Sequence, residues 1–154
     1  MLPTKAAVTL SLSVLLLACP TNPSASSAEP TTASQEDAGS KENAARAVAE
    51  MWLSLVDAGN YGQSWTEAAD LFKKRVDETT WEKTLDGVRG PLGKKLSRTV
   101  RSARYATSLP GAPDGEYVVV QFDTSFEKKS AAVETVTPMI DPDGRWRVSG
   151  YFIK

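Results

Sequence analysis

The hydrophobic period changes once along this chain, and that change restricts the fold more than any single motif does. Up to about Gly90 the apolar residues recur at helical spacing; from Ser97 onward they alternate with a period of two. A first helix is predicted from about Lys41 to Ala58, with Ala44, Val48, Met51, Trp52, Leu55 and Val56 on one face and Gly59 as its C-terminal cap. A second follows Asn60, carrying Tyr61, Trp65, Ala68 and Phe72. A third is predicted with Thr79 at the N-cap and Glu82 three positions on, in a capping box. Its buried stripe is Trp81, Leu85 and Val88, and Gly90-Pro91 ends it.

The second half reads as strands. Ser97 to Ser108 has mixed polarity, and the Pro/Gly-rich stretch Leu109 to Gly115 is a turn. Val118, Val120, Phe122 and Phe126 then give one strongly apolar strand face. A third strand is expected from about Ala131 to Ile140 and a fourth from Arg145 to Ile153, joined by the turn Asp141-Pro142-Asp143-Gly144. Short links between successive strands imply an antiparallel meander. The expected fold is therefore α+β: about three N-terminal helices packed on a four-stranded antiparallel meander sheet, over residues 41–154.

Upstream of that domain the chain has a different character. Met1 to Lys5 carries one positive charge, and Ala6 to Ala18 is apolar or small, too short to span a bilayer, which takes about 20 apolar residues. This fits a signal peptide at residues 1–18. The run ends Leu16-Leu17-Ala18-Cys19, which resembles the lipobox of bacterial lipoproteins, where the cysteine is acylated and becomes the first mature residue. Ordinary cleavage further on, after Ser26-Ser27-Ala28, is the other reading. Lipidation of Cys19 also accounts for a single cysteine in an exported chain. Residues 19–40 hold no aromatic and no aliphatic side chain larger than Ala from Pro20 on, and are expected to be a disordered tether. The predicted location is the bacterial cell envelope, lipid-anchored. Pro20 stands where an Asp would resemble an inner-membrane retention signal, which favours the periplasmic face of the outer membrane in a Gram-negative organism.

Composition closes off several chemistries. Histidine is absent, which removes the commonest general base, and with one cysteine neither an intramolecular disulfide nor a thiolate zinc site can form. From Glu42 to the end there are sixteen basic and sixteen acidic residues, so no global basic footprint points to nucleic acid. Neither a Gly-x-Ser-x-Gly elbow nor a phosphate-cradling glycine loop is present, and no cofactor or metal is expected.

Three sets of residues could carry function. Arg89, Lys94, Lys95, Arg98, Arg101 and Arg104 run without an intervening acid between Asp86 and Asp114. They could face anionic lipid or cell-wall polymer, or be a solvated helix end and strand, with Arg98 and Arg104 on one face and Arg101 on the other. Glu134 shares strand parity with Val136 and Ile140, which points a carboxylate at an apolar face. It could act as a general base in a pocket, with Arg98 or Arg147 as its cation, or form a buried structural ion pair. Trp52, Trp65, Trp81 and Trp146 are read as core, whereas Tyr117 and Tyr151 fall on outer faces by parity and, with Arg101 and Arg104, could form a partner surface.

Several stretches resemble a bacterial family of domains of unknown function, number 4019. They include Trp65 with Phe72, Trp81 ahead of Leu92-Gly93, and Tyr105 to Gly111. The fullest are Gly115-Glu116-Tyr117-Val118-Val119-Val120, Glu134-Thr135-Val136-Thr137 and the ending Trp146 to Lys154. The resemblance covers roughly Ala47 to Lys154; it implies a small exported protein and supplies no activity. The element order is also similar to the cone-shaped, nuclear-transport-factor-2-like folds, an analogy of architecture only. The leading expectation is a membrane-anchored, non-catalytic binding module. Its partner would be an envelope protein, lipid or glycan, and not nucleic acid. The alternatives are a cofactor-free acid–base enzyme centred on Glu134, or an envelope-integrity protein needed under stress.

Overall fold

The computed structural model describes residues 31–154; the expected leader, Cys19 and the chain up to residue 30 lie outside the described residues. In order, the elements are α1 (Thr31–Asp57), α2 (Tyr61–Thr66), α3 (Asp70–Arg75), α4 (Glu78–Arg89), a single 3-10 turn, and four strands. The strands are β1 (Lys95–Ala106), β2 (Tyr117–Phe126), β3 (Lys129–Ile140) and β4 (Trp146–Ile153). They form one antiparallel sheet in the order β1-β2-β3-β4, the expected meander.

The first helix begins at Thr31 instead of Lys41, so the end of the expected tether is helical. Lys41 ties this part down: its ammonium lies 3.1 Å from Asp37, one turn earlier, and 3.0 Å from Glu116 ahead of β2. Glu42 accepts the backbone N–H of Tyr105 at 2.9 Å, covering a donor on the β1 edge. The buried stripe of α1 is Ala45, Ala49, Trp52, Leu53 and Val56, rotated from the expected one. Two alanines let the helix sit close to the sheet, and a second apolar stripe, Val48, Met51 and Leu55, is left toward solvent. Gly59 takes φ +77° and turns the chain out of the helix as expected.

The expected second helix is two helices. Ala69 between them is extended, and its N–H donates to the Val148 carbonyl of β4 at 2.8 Å, so the break covers a sheet edge. The cap of α4 also lies upstream of the expected one. Asp77, not Thr79, is the N-cap; its carboxylate accepts from the Thr80 backbone N–H at 3.0 Å and from the Thr80 hydroxyl at 2.8 Å. The stripe on α4 is Trp81, Leu85 and Arg89, while Val88 is exposed.

Two bulges decide which strand residues face the helices. Between Val100 and Ser102 the β1–β2 register slips by one residue at Arg101. Arg98 therefore faces inward opposite Thr124, whereas Arg104 lies on the outer face beside Val119, correcting the expectation that the two share a face. Between Thr137 and Pro138 the β3–β4 register slips again, with Ser149 as the extra residue. This carries Tyr151 to the inner face beside Val136 and leaves Phe152 half exposed outside, the reverse of a strict alternation from Trp146.

The main core joins α1, α2, α3 and α4 to the inner face of the sheet through Trp52, Leu53, Phe72, Trp81, Phe122 and Val148, among others. Trp81 packs edge-on to Phe72 with ring centres 4.8 Å apart, and the Trp52 and Trp81 rings are 5.9 Å apart, as expected of core aromatics. A second, smaller core holds Ala69, Tyr117 and Met139 under Leu71, Leu109 and Ala112. The Pro/Gly-rich connection folds over Tyr117 and accepts its hydroxyl at the Pro113 carbonyl, 2.7 Å. Tyr117 is thus buried, not part of an outer surface.

Candidate functional site

The inner face of the sheet carries a buried ionic cluster built from six elements. Asp57 is the last residue of α1 and Arg89 the last of α4; Arg98 comes from β1, Thr124 from β2, Glu134 from β3 and Tyr151 from β4. Helical spacing delivers the first two: Asp57 stands four residues after buried Leu53, and Arg89 four after buried Leu85. Strand parity delivers Arg98 and Glu134, and the β4 bulge delivers Tyr151.

Glu134 is completely buried, and both of its oxygens are fully engaged. Oε1 accepts from Arg89 Nη1 at 3.0 Å and from the Tyr151 hydroxyl at 2.6 Å; Oε2 accepts from Arg98 Nε at 2.6 Å and from the Thr124 hydroxyl at 2.5 Å. Asp57 closes the arrangement from the other side. It accepts from Arg89 Nη2 at 2.6 Å and from Arg98 Nη1 and Nη2 at 2.7 and 2.9 Å. Two guanidinium groups thus face two carboxylates, with Lys95 at the rim 3.5 Å from Asp57. The Arg89 guanidinium also lies over the Phe126 ring, 4.6 Å from its centre.

Such a cluster tolerates burial because every charge has an opposite partner and the acceptor sites are filled. Burial acts to raise the Asp57 carboxyl, but the hydrogen bonds and charges of Arg98 and Arg89 outweigh it and hold the group below its ordinary value. Burial and the adjoining Glu134 carboxylate push the Tyr151 phenol well above its usual range, so it stays a donor. Despite burial, which lowers it, Arg98 is raised by Asp57 and Glu134.

The expected pairing of Glu134 with Arg98 is present, but the expected opening is not. With four donors on its oxygens and no exposed surface, Glu134 offers no lone pair to a substrate proton, which removes the geometry that an acid–base pocket centred on it requires. Arg147 is not its partner either. It sits at the β3–β4 turn, 2.9 Å from Asp141 and 2.7 Å from Asp143. Asp57 and Thr124 were absent from the sequence-based set, Arg89 stood there only in the basic run and Tyr151 only as an outer-face residue; the spacing Trp81, Leu85, Arg89 was the available signal that Arg89 points inward.

The expected partner surface does not assemble. Tyr117 and Tyr151 point into the two cores, while Arg101 and Arg104 are exposed on the outer side, Arg101 in a 2.6 Å pair with Asp123. The basic run is likewise divided, because Arg89 and Arg98 are consumed by the ionic cluster.

Small hollows of about 220 and 250 Å³ reach Asp57, Arg98 and Arg89 at the rim of the cluster, but not Glu134, and larger ones lie elsewhere. A groove of about 440 Å³ runs between the second stripe of α1 and the start of β4, lined by Val48, Met51, Leu55, Gln63, Glu67 and Trp146 among others. It adjoins a polar hollow of about 410 Å³ at the β3–β4 turn, which includes Glu67, Asp70, Asp141, Asp143 and Arg147. Among the described residues no group of three or more acidic or cysteine side chains is arranged to hold a metal ion.

No curated protein and no solved structure matches this chain, so the likeness to cone-shaped folds rests on element order. A family described as "Protein of unknown function (DUF4019)" matches residues 48–151, from the middle of α1 to Tyr151 and so including both the cluster and the hollows. That match spans well over half of the 154 residues, and the chain belongs to the DUF4019 family.

Proposed function

We propose that the protein is a lipid-anchored module of the bacterial envelope, and that its folded domain binds a ligand or partner at its surface. The observation that carries this reading is the sequence Leu16-Leu17-Ala18-Cys19, at the end of an apolar run and holding the chain's only cysteine. Each acyl chain on Cys19 would contribute about 0.8 kcal/mol per buried CH₂, and two or more together give stable attachment. No described helix is long and apolar enough to cross a membrane, and the lipid would be the anchor. The domain supports a binding role because the carboxylate at the centre of its most elaborate polar assembly is buried and fully paired, while its largest unfilled spaces lie in surface grooves. In an envelope with two membranes, Pro20 after the cysteine favours the outer one.

The test is metabolic labelling with a clickable fatty acid, followed by membrane fractionation and cross-linking in intact cells. The native chain is expected to take the label, to sediment with membranes and to enrich a reproducible partner. Cys19→Ser should lose the label and the membrane association. Label-free native protein released as a soluble species would sink the anchored reading.

A further inference from the structure

The groove along α1 and the hollow at the β3–β4 turn share Glu67, Arg145 and Arg147 in their linings, so they adjoin and together make a trough. Its two ends differ in chemistry. The apolar end is the second stripe of α1, with Met51 65% exposed, facing Trp146. The polar end holds four acids, Glu67, Asp70, Asp141 and Asp143, against three bases, Lys73, Arg145 and Arg147.

The pairings within the polar end leave acceptors unused. Asp143 takes Arg145 Nε at 2.8 Å and Arg147 Nη2 at 2.7 Å, and Asp70 has Lys73 at 3.7 Å. Asp141 uses Oδ2 alone, accepting from Arg147 Nη1 at 2.9 Å and from the Asp70 backbone N–H at 3.2 Å. Its other oxygen, Oδ1, is buried and has no hydrogen-bond partner among the described residues, in a side chain only 3% exposed. Glu67 is exposed and forms no ion pair among the described residues. Leaving a buried carboxylate oxygen without a donor is costly, and a native fold normally satisfies it.

We propose that this trough binds a primary ammonium carrying an apolar group, the ammonium donating to Asp141 Oδ1 and Glu67 and the apolar part lying along Val48, Met51, Leu55 and Trp146. The proposal rests on the reading of the domain as a binding module and supplies its ligand class. An excess of one carboxylate over the bases favours a cation, and the absence of a metal-binding arrangement among the described residues favours one that donates N–H. Oδ1 is occluded in the free chain, so binding requires a side chain of the lining to move. In that lining the Arg145 side chain is 73% exposed and, among the described residues, is ion-paired with Asp143 alone. A free amine and the N-terminus of a peptide beginning with an apolar residue share this chemistry.

The experiment is calorimetric titration of the full chain with leucinamide, with N-acetyl-leucinamide as the probe lacking the ammonium. Leucinamide is expected to bind saturably, and acetylation or Asp141→Asn to weaken it by about tenfold or more, since a hydrogen bond to a charged group contributes about 1.5–3 kcal/mol. Glu67→Gln, at an exposed position that leaves the fold intact, should weaken it by about threefold or more. Equal binding of the acetylated probe, or no effect of either variant, overturns the proposal, and so does failure of leucinamide to bind. Hexylamine and a leucine-initiated tripeptide amide separate the two sources; tighter binding of either upholds the ammonium site and names its origin. If no amine binds while the cross-linking still captures a partner dependent on Cys19, the trough fails and the anchored-module reading stands.

Discussion

Glu134 and Asp141 lie on or next to the same strand, both almost wholly buried and both within reach of arginine, yet they differ in one respect. Every acceptor site of Glu134 is filled, by two guanidinium groups and two hydroxyls, from four different elements. Asp141, which lines a hollow, has one filled oxygen and one buried oxygen with no partner among the described residues. A satisfied buried charge fixes the relation between the elements that supply its partners, and nothing remains for a ligand to gain. A half-satisfied one leaves free energy to be released on binding. The difference separates the part of the molecule that holds the fold from the part that can act.

The same chemical change at both sites tests that separation most directly. Glu134→Gln replaces an acceptor with an amide N–H₂ that must face an existing donor, and leaves Arg89 and Arg98 with one carboxylate between them. Removing one partner of a buried ionic group costs about 3–5 kcal/mol, so the urea midpoint should fall sharply. A loss below about 1 kcal/mol would mean that the cluster does not hold the elements together.

Tyr151→Phe should have the next largest effect. It removes one donor from Glu134 Oε1 and leaves Arg89, at a cost of about 1.5–3 kcal/mol. The wild-type phenol gives an independent reading of the same contact. Because its folded value is raised from the ordinary 10, the stability it contributes is present below about pH 10 and is lost as pH rises toward the folded value. In an absorbance titration of the folded chain, the Tyr151 phenol should stay protonated near pH 10 and ionise only at higher pH or on unfolding. Asp57 has the opposite sign. Its folded value is lowered, so its contribution is present above the ordinary 3.8 and is lost as pH falls through the folded value. Asp57→Asn should therefore flatten the acid limb of the stability curve below about pH 4 and lower the plateau above it. An unchanged acid limb would remove Asp57 from the cluster's energetics.

The fold was legible because the period change and the turn residues are local signals. The meander, the α+β class and the inward carboxylate at Glu134 all follow from them. Parity failed where it had to, at bulges: one extra residue near Arg101 turned Arg104 outward, and one at Ser149 turned Tyr151 inward. Alternation carries no mark of an inserted residue, so a rule of period two cannot see either. Arg89 was readable in principle, four residues beyond Leu85 on a buried stripe, but a charged residue at a helix end ordinarily belongs to solvent. The meeting of Arg89 with Asp57 depends on where two helix ends reach the sheet, which no local pattern encodes. The trough was legible only in part. The α1 face holds more apolar residues than one stripe can bury, and Val48, Met51 and Leu55 are the surplus.

The smallest expected effect is the most informative about that surplus region. Asp141→Asn removes a charge whose Oδ1 already lacks a donor, and Arg147, itself only one-fifth exposed, keeps its pairing with Asp143 at 2.7 Å. The backbone N–H of Asp70 can still donate to the remaining amide oxygen. Loss of the Arg147 contact and relief of an undersolvated carboxylate act in opposite directions, and the net change should stay within about 1 kcal/mol. The outcome is measured on the same urea curve as Glu134→Gln. If the Asp141 variant falls as far as the Glu134 variant, both carboxylates are structural and the distinction between a filled and a half-filled site has no functional content. If it holds its midpoint while losing leucinamide, the empty oxygen is kept for binding rather than for the fold.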